Sequence, residues 1–237
     1  ELPKQRDDTN QRLADLENYL KEFDATGFGP RFSKAFNAAR QQMKQLNQIR
    51  QEVSALSIPA PQAIGYYTKH NGLLLDLIGT MTSQCTDGRL SVTITAYVSF
   101  LKGKERAGIE RAVMANTFAK NAFGPGVFRK FISLVTAQDT YLGEFELIAS
   151  DQAKEFYAQK MKDPAIAKVN EYRKIATDKS VEGNFDVEPN VWFKTITAKI
   201  ELLKSVENNL SEELNTKAEE TRSAAAQSQW QLGIVSI

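Results

Sequence analysis

An all-α protein is predicted by three observations. Apolar residues recur at helical spacing along nearly the whole chain, proline and glycine clusters cut that pattern into segments of helix length, and the one β-branched run, Val92 to Thr95, has no second strand-like run to pair with. The first segment, Leu2 to Phe23, carries Leu13, Leu16, Tyr19, Leu20 and Phe23 and breaks at TGFGP. Pro30 opens a second helix with Phe32, Phe36, Met43, Leu46, Ile49, Val53 and Leu56 on one side, ending at Pro59 and Pro61. A third, Pro61 to Thr82, bears Ile64, Tyr67, Leu74, Leu75 and Ile78 and stops near CTDG.

The fourth helix, Arg89 to Phe123, is the long one; at about 35 residues it spans roughly 50 Å, more than one four-helix layer requires, so two bundles can share it. Gly124, Pro125 and Gly126 end it. Phe128 to Tyr157 form the next helical stretch, with room for a break, and Asp163 followed by Pro164 caps and opens a shorter one. After a loop from Thr177 to Glu188, the last helix begins at Pro189 and carries Trp192, Ile196, Ile200, Leu203, Val206, Leu210 and Leu214. Short connections and the lack of a fixed repeat favour packed antiparallel bundles over a solenoid.

Composition narrows the function. The net charge is +1 with both signs interspersed, so no basic patch points to nucleic acid or to an anionic membrane surface. A single cysteine, Cys85, and a single histidine, His70, which reads as a helix-surface residue in YYTKHNG, exclude a disulfide framework and a clustered set of transition-metal ligands. No Ser/His/Asp set, Cys/His pair or HExxH occurs, and TGFGP and GPGV read as turns rather than phosphate loops. Catalysis, a metal and a cofactor are therefore not expected. No segment reaches the roughly 20 apolar residues that cross a bilayer. The sequence closes on Trp230, Leu232, Ile234, Val235 and Ile237 after a polar stretch, which reads either as the opening of a membrane helix or as a helix end packed on the domain.

The chemistry is concentrated in KERAGIERA, Lys104 to Ala112, within a helix apolar on nearly every side. Arg106 has Glu110 four residues on, the spacing of an intrahelical ion pair. Arg111 shares its stripe with Ala107, Gly108, Met114 and Ala115 and has no acid at i±3 or i±4. A guanidinium there keeps its proton and must meet an anion. That anion is either a carboxylate of a facing helix or a small planar oxyanion in a dry interhelical pocket, for which the arginine fork is suited.

KERAGIERA followed by VMANTFAKNAF resembles the signature segment of the nitrate- and nitrite-sensing, or NIT, domain of bacterial chemoreceptors, other membrane-bound sensors and some cytoplasmic antiterminators. QRDDTNQRLADL, IRQEV, YYTKHNGLLLDLI and PNVWFKTITAKIELLKSVE extend the similarity over about Gln5 to Glu207. The resemblance implies two four-helix bundles sharing long helices, with nitrate or nitrite held by arginines between helices, one of them Arg111. The family's earlier helix, with a glutamate-arginine-glycine motif, has no counterpart in this sequence, so a second anion-binding arginine lies outside it. Taken with the apolar end, these features lead to a specific expectation: residues 1–237 form one NIT-like sensor domain, with 208–237 a C-terminal helix leading towards a membrane segment. It is expected to be extracytoplasmic (periplasmic), in a homodimeric inner-membrane, chemoreceptor-like protein, and to bind nitrate or nitrite through Arg111, Ala107, Gly108, Ala115 and Met114. Nucleic acid is not an expected partner. A helical interaction or scaffold module without a small ligand is the alternative.

Overall fold

The computed structural model describes residues 2–235, with side chains described through residue 227. Among the described residues there is no strand, and the β-branched run at Val92 to Thr95 is helical. The helices are α1 (Leu2–Tyr19), α2 (Gly29–Met43), α3 (Leu46–Ser54), α4 (Ala60–Met81), α5 (Gly88–Lys120), α6 (Val127–Ile148), α7 (Asp151–Lys160), α8 (Pro164–Asp178) and α9 (Pro189–Val235), with short 3₁₀ turns at Ala25–Phe28 and Thr82–Gln84.

Capping chemistry sets several boundaries. Asp87 accepts from Arg89 N at 2.8 Å to start α5, Ser150 accepts from Ala153 N at 3.2 Å to start α7, and Asp163 accepts from Ala165 N at 2.8 Å to start α8. Asn121 ends α5 in the left-handed region, at φ 51°. Its carbonyl and side chain then accept Asn184 N at 2.9 Å and Phe185 N at 2.8 Å, which latches the loop between α8 and α9 onto α5. Gly183 lies at φ 69°, and a Cβ there would stand 2.6 Å from the Asn121 carbonyl, so the latch requires glycine.

The single helix expected from Pro30 to Leu56 is instead two. Between α2 and α3 the Tyr66 hydroxyl donates to the Gln42 carbonyl at 2.9 Å, and Gln45 N closes a tighter turn onto the same oxygen at 3.3 Å, so the i→i−4 ladder is interrupted there. His70, expected at a helix surface, is buried beside Tyr66, with ring centroids 5.9 Å apart. Burial, followed by the charge of Arg50, holds its pKa below the ordinary imidazole range.

One bundle is built from α5, α6, the α7–α8 pair and α9, with two apolar cores stacked along its length. The lower core joins Phe100, Phe145 and Tyr157, at ring separations of 5.0, 5.4 and 6.1 Å, to Ala107, Leu203 and Val206. The upper joins Met114, Phe118, Tyr172, Phe185, Trp192 and Ile196. The second group, α1 to α4, meets the first through α4 against α5, where Asn71 donates to Glu105 at 2.9 Å. The long helix is thus shared, as its length predicts. No residue of α1 is buried; it is held by Arg6 to Ser54 at 2.8 Å, Arg50 to Asn10 at 2.6 Å and Arg40 to Glu17 at 3.2 Å.

No helix of the described residues is long and apolar enough to cross a membrane. The side chains of Trp230, Leu232, Ile234 and Val235, on which the membrane-helix reading rests, and all of Ile237 lie outside the described residues.

Two glycines of α5 separate tight packing from open space. A Cβ on Gly103 would come within 2.9 Å of the buried Leu142 side chain, whereas one on Gly108 meets nothing within 4 Å. Gly103→Ala is therefore expected to destabilise the fold by about 1–3 kcal/mol through overpacking. Gly108→Ala should stabilise it by about 0.5–1 kcal/mol, since alanine is the better helix former. Urea unfolding of the two variants measures both signs.

Candidate anion site on the central helix

Arg111 stands at the edge of the upper core, on the side of α5 that faces α9. Three residues in the first three turns of α9 hold it. Its Nη1 donates to Thr197 Oγ1 at 2.9 Å, its guanidinium carbon lies 4.8 Å from the Phe193 ring centroid, and its own carbonyl accepts Trp192 Nε1–H at 3.1 Å. Trp192 is fully enclosed, so its indole N–H needs this acceptor, and the bond fixes α9 against α5 at Arg111 itself. Phe193 remains 45% exposed and forms the outer wall.

Of the residues singled out from sequence, Gly108, Arg111 and Ala115 are half-buried along one strip of α5, and the position beside Gly108 is open. Ala107 and Met114 are fully buried, the first in the lower core and the second in the upper. Arg111 is therefore at a half-open strip rather than in the dry enclosed pocket expected, because the stripe that carries it lies at the margin of the α5–α9 contact and not at its centre.

The expected Arg106–Glu110 pair does not form. Arg106 lies over the Tyr141 ring at 5.8 Å, and Glu110 turns into the bundle, where it is wholly buried. There Arg173 of α8 grips it with two bonds, Nε to Oε1 at 2.8 Å and Nη2 to Oε2 at 2.7 Å, in the bidentate geometry that suits a guanidinium and a carboxylate. Gln138 of α6 donates to Glu110 at 2.7 Å and accepts from Arg173 at 2.9 Å and from Lys199 of α9 at 3.1 Å. Four helices thus contribute one polar residue each to a single layer between the two apolar cores. Burial, then the neighbouring Arg173, pushes the Lys199 ammonium down to about 8, against the opposing pull of Glu110 and Asp139.

Sequence reading missed this layer, although a signal for it exists. Ala96, Phe100, Gly103, Ala107, Glu110 and Met114 on α5, and Trp192, Ile196, Lys199, Leu203, Val206 and Leu210 on α9, alternate in steps of four and three, the spacing of a helix-packing seam. Glu110 and Lys199 occupy seam positions, where a charge must be met by another helix. Among the described residues no group of three His, Cys, Asp or Glu is placed to hold a metal ion.

With this geometry in place, comparison with known proteins settles the family. The family model described as nitrate and nitrite sensing, NIT, matches residues 1–215, and the chain belongs to that family. It is 24% identical over 177 residues to a nitrate regulatory protein of Klebsiella oxytoca, an alignment covering 75% of this chain and 44% of that protein. The structure of the NasR transcription antiterminator superposes with a TM-score of 0.81 at 22% identity, over 89% of this chain and 57% of that one, which shows the helical fold. The chain thus spans about half the length of these two proteins.

These findings overturn the expectation of an extracytoplasmic, transmembrane chemoreceptor-like sensor. The two proteins it resembles are a regulatory protein and a transcription antiterminator, and no described helix is suited to span a membrane. The physical reason is that α9 is polar and charged from Glu212 to Gln227, and no other described helix carries the long apolar run that a bilayer requires. Excluding nucleic acid on charge alone is likewise not carried to a whole protein of this kind, since one of the two acts in transcription.

Lys199 gives a pH prediction with a definite sign. Its folded pKa, about 8, lies below the ordinary 10.5, so above pH 8 the unfolded chain binds more protons than the folded one and stability from this group rises with pH. Lys199→Met should accordingly be as stable as the parent or more stable by about 1–3 kcal/mol at pH 7. That advantage should shrink between pH 8 and 10, as read by urea titrations of both proteins across the range.

Proposed function

We propose that this chain is the sensing part of a regulatory protein, binding nitrate or nitrite as a small planar oxyanion against Arg111, on the strip formed with Gly108 and Ala115. Ala107 and Met114 support that strip from the two cores behind it. The observation that carries the reading is the contact of Arg111 with Trp192, Phe193 and Thr197. The residue the family resemblance assigns to the anion is bonded to the start of the longest helix, so occupancy and helix position are one contact apart.

In this reading residues 1–237 are one sensor domain and 208–237 a rod that leads out of it towards an output unit, with a second copy of the chain as its partner. α9 stays bonded to the bundle as far as Thr221, through Lys217 to Thr93 at 3.0 Å and Thr221 to Asp87 at 3.2 Å, so the rod leaves the domain no earlier than Thr221. The domain signals rather than catalyses and uses no cofactor, as the regulatory character of the two similar proteins suggests.

Calorimetric titration of the chain with nitrate, nitrite and chloride tests the site. Arg111→Ala is expected to weaken oxyanion binding more than tenfold, because a charged hydrogen bond contributes about 1.5–3 kcal/mol. Arg106→Ala, whose side chain packs on Tyr141, should bind almost as the parent does. Undiminished nitrate binding by Arg111→Ala would place the site elsewhere.

A further inference from the structure

Among the described residues, one buried side-chain nitrogen or oxygen has no hydrogen-bond partner: His70 Nδ1. It lies beside the joint where α2 passes into α3. The imidazole stacks on Tyr66 with the two rings inclined by 20°, and the Tyr66 hydroxyl bonds the Gln42 carbonyl on which the joint turns. Gln42 and Leu46, on the two sides of the joint, are buried with them. The charge that bears on the imidazole is Arg50 of α3, whose guanidinium donates to the neutral Asn10 of α1 at 2.6 Å. α4 itself adds the phenols of Tyr66 and Tyr67, α2 the neutral Gln42, and α5 the carboxylate of Glu105, which is engaged by Asn71 at 2.9 Å. No carboxylate beside the ring offsets Arg50.

We propose that this joint is an acid-opened hinge with His70 as its sensor: protonation of the imidazole parts α4 from the α2–α3 joint and loosens the α1–α4 group, while the α5–α9 bundle stays closed. A neutral imidazole has one nitrogen that donates and one that accepts, and both donate once it is protonated. In the closed joint the added proton makes a buried cation whose Nδ1–H has no acceptor and which faces the like charge of Arg50. In the open joint the same cation is solvated. The closed form thus holds the proton less tightly than the open one, so the stability this group supplies is fully present above about pH 6.5 and is lost as pH falls below it. The loss is local because the α1–α4 group has little core to resist it. α1 buries no residue and α3 only Leu46, whereas α5–α9 enclose two aromatic cores. The residue after His70 donates to Glu105, so the hinge acts on the helix that carries Arg111.

The test uses the whole chain, whose single histidine gives one imidazole to follow by NMR. Hydrogen exchange, corrected for its intrinsic pH dependence, is read by mass spectrometry for α2–α4 and for α5–α9 from about pH 5 to 7.5. His70 is expected to titrate below about 6.5, and protection of α2–α4 to fall by up to about tenfold per pH unit below that value, with α5–α9 unchanged. His70→Phe keeps a ring on Tyr66 and has no proton to gain, so its α2–α4 protection should stay level across the range. His70→Gln, which does not titrate either, should give the same level profile where phenylalanine disturbs the packing. A loss of α2–α4 protection as steep in both variants as in the parent overturns the inference. An equal loss in α5–α9 also overturns it, since the whole fold then yields to acid, and so does a His70 that titrates at or above the ordinary value.

Discussion

The Glu110–Arg173 ion pair, with Gln138 and Lys199 closing the layer, is the interaction on which the arrangement of the bundle depends. Seams of apolar residues at alternating steps pack almost equally well when one helix slides by a seam position. A buried carboxylate does not. Sliding α8 or α9 against α5 would set Glu110 opposite a residue such as Val169 or Leu203, and an uncompensated buried charge costs about 3–5 kcal/mol. Apolar residues in the same places would hold the helices together as firmly; what the polar layer contributes is one register in preference to the others.

That register carries directly into the candidate site, because the two are interleaved in sequence. Glu110 precedes Arg111 on α5, and Thr197 lies two residues before Lys199 on α9. Fixing Glu110 and Lys199 in one layer turns Arg111 to the next face of α5 and brings Thr197 to it at 2.9 Å. The Trp192 indole bonded to the Arg111 carbonyl adds a second fixed point one turn further along. The site is therefore shaped by burial chemistry that contributes no atom to it, as is usual where a binding group must be held to within a fraction of an ångström.

Most of the helices, the Asp163 cap and the shared central helix were legible because each rests on local chemistry: periodicity, an Asp before a Pro, a glycine cluster. Arg111 was legible for the same reason, since a charge without a neighbour on its own helix stands out. Glu110 was not. It has Arg106 one turn back, and spacing alone cannot show that the two side chains diverge, one over Tyr141 and the other into the core. The break between α2 and α3 was hidden because its cause, the Tyr66 hydroxyl, comes from a different helix. The membrane receptor was read from eight terminal residues and from one of the settings in which the family occurs, and neither follows from the motif around Arg111, which describes a sensor and not its attachment.

A ligand shifts an equilibrium only by the difference in its affinity for the two states. An anion at Arg111 meets a guanidinium already bonded to α9, so its binding strengthens or replaces a contact between the two helices, and the difference in affinity resides in that contact. The polar layer resists a slide of α9 along α5, since sliding would break Lys199 from Gln138. Motion is thereby limited to a tilt or lateral shift of about 1–2 Å, the scale that packed helices permit. A tilt at the first two turns, pivoting on the layer at Lys199, is carried by a helix that continues to Val235 to an opposite displacement at its far end. Under the proposed reading of Arg111, the polar layer that fixes the register of the bundle is also the fulcrum of the signal, through Lys199 on α9.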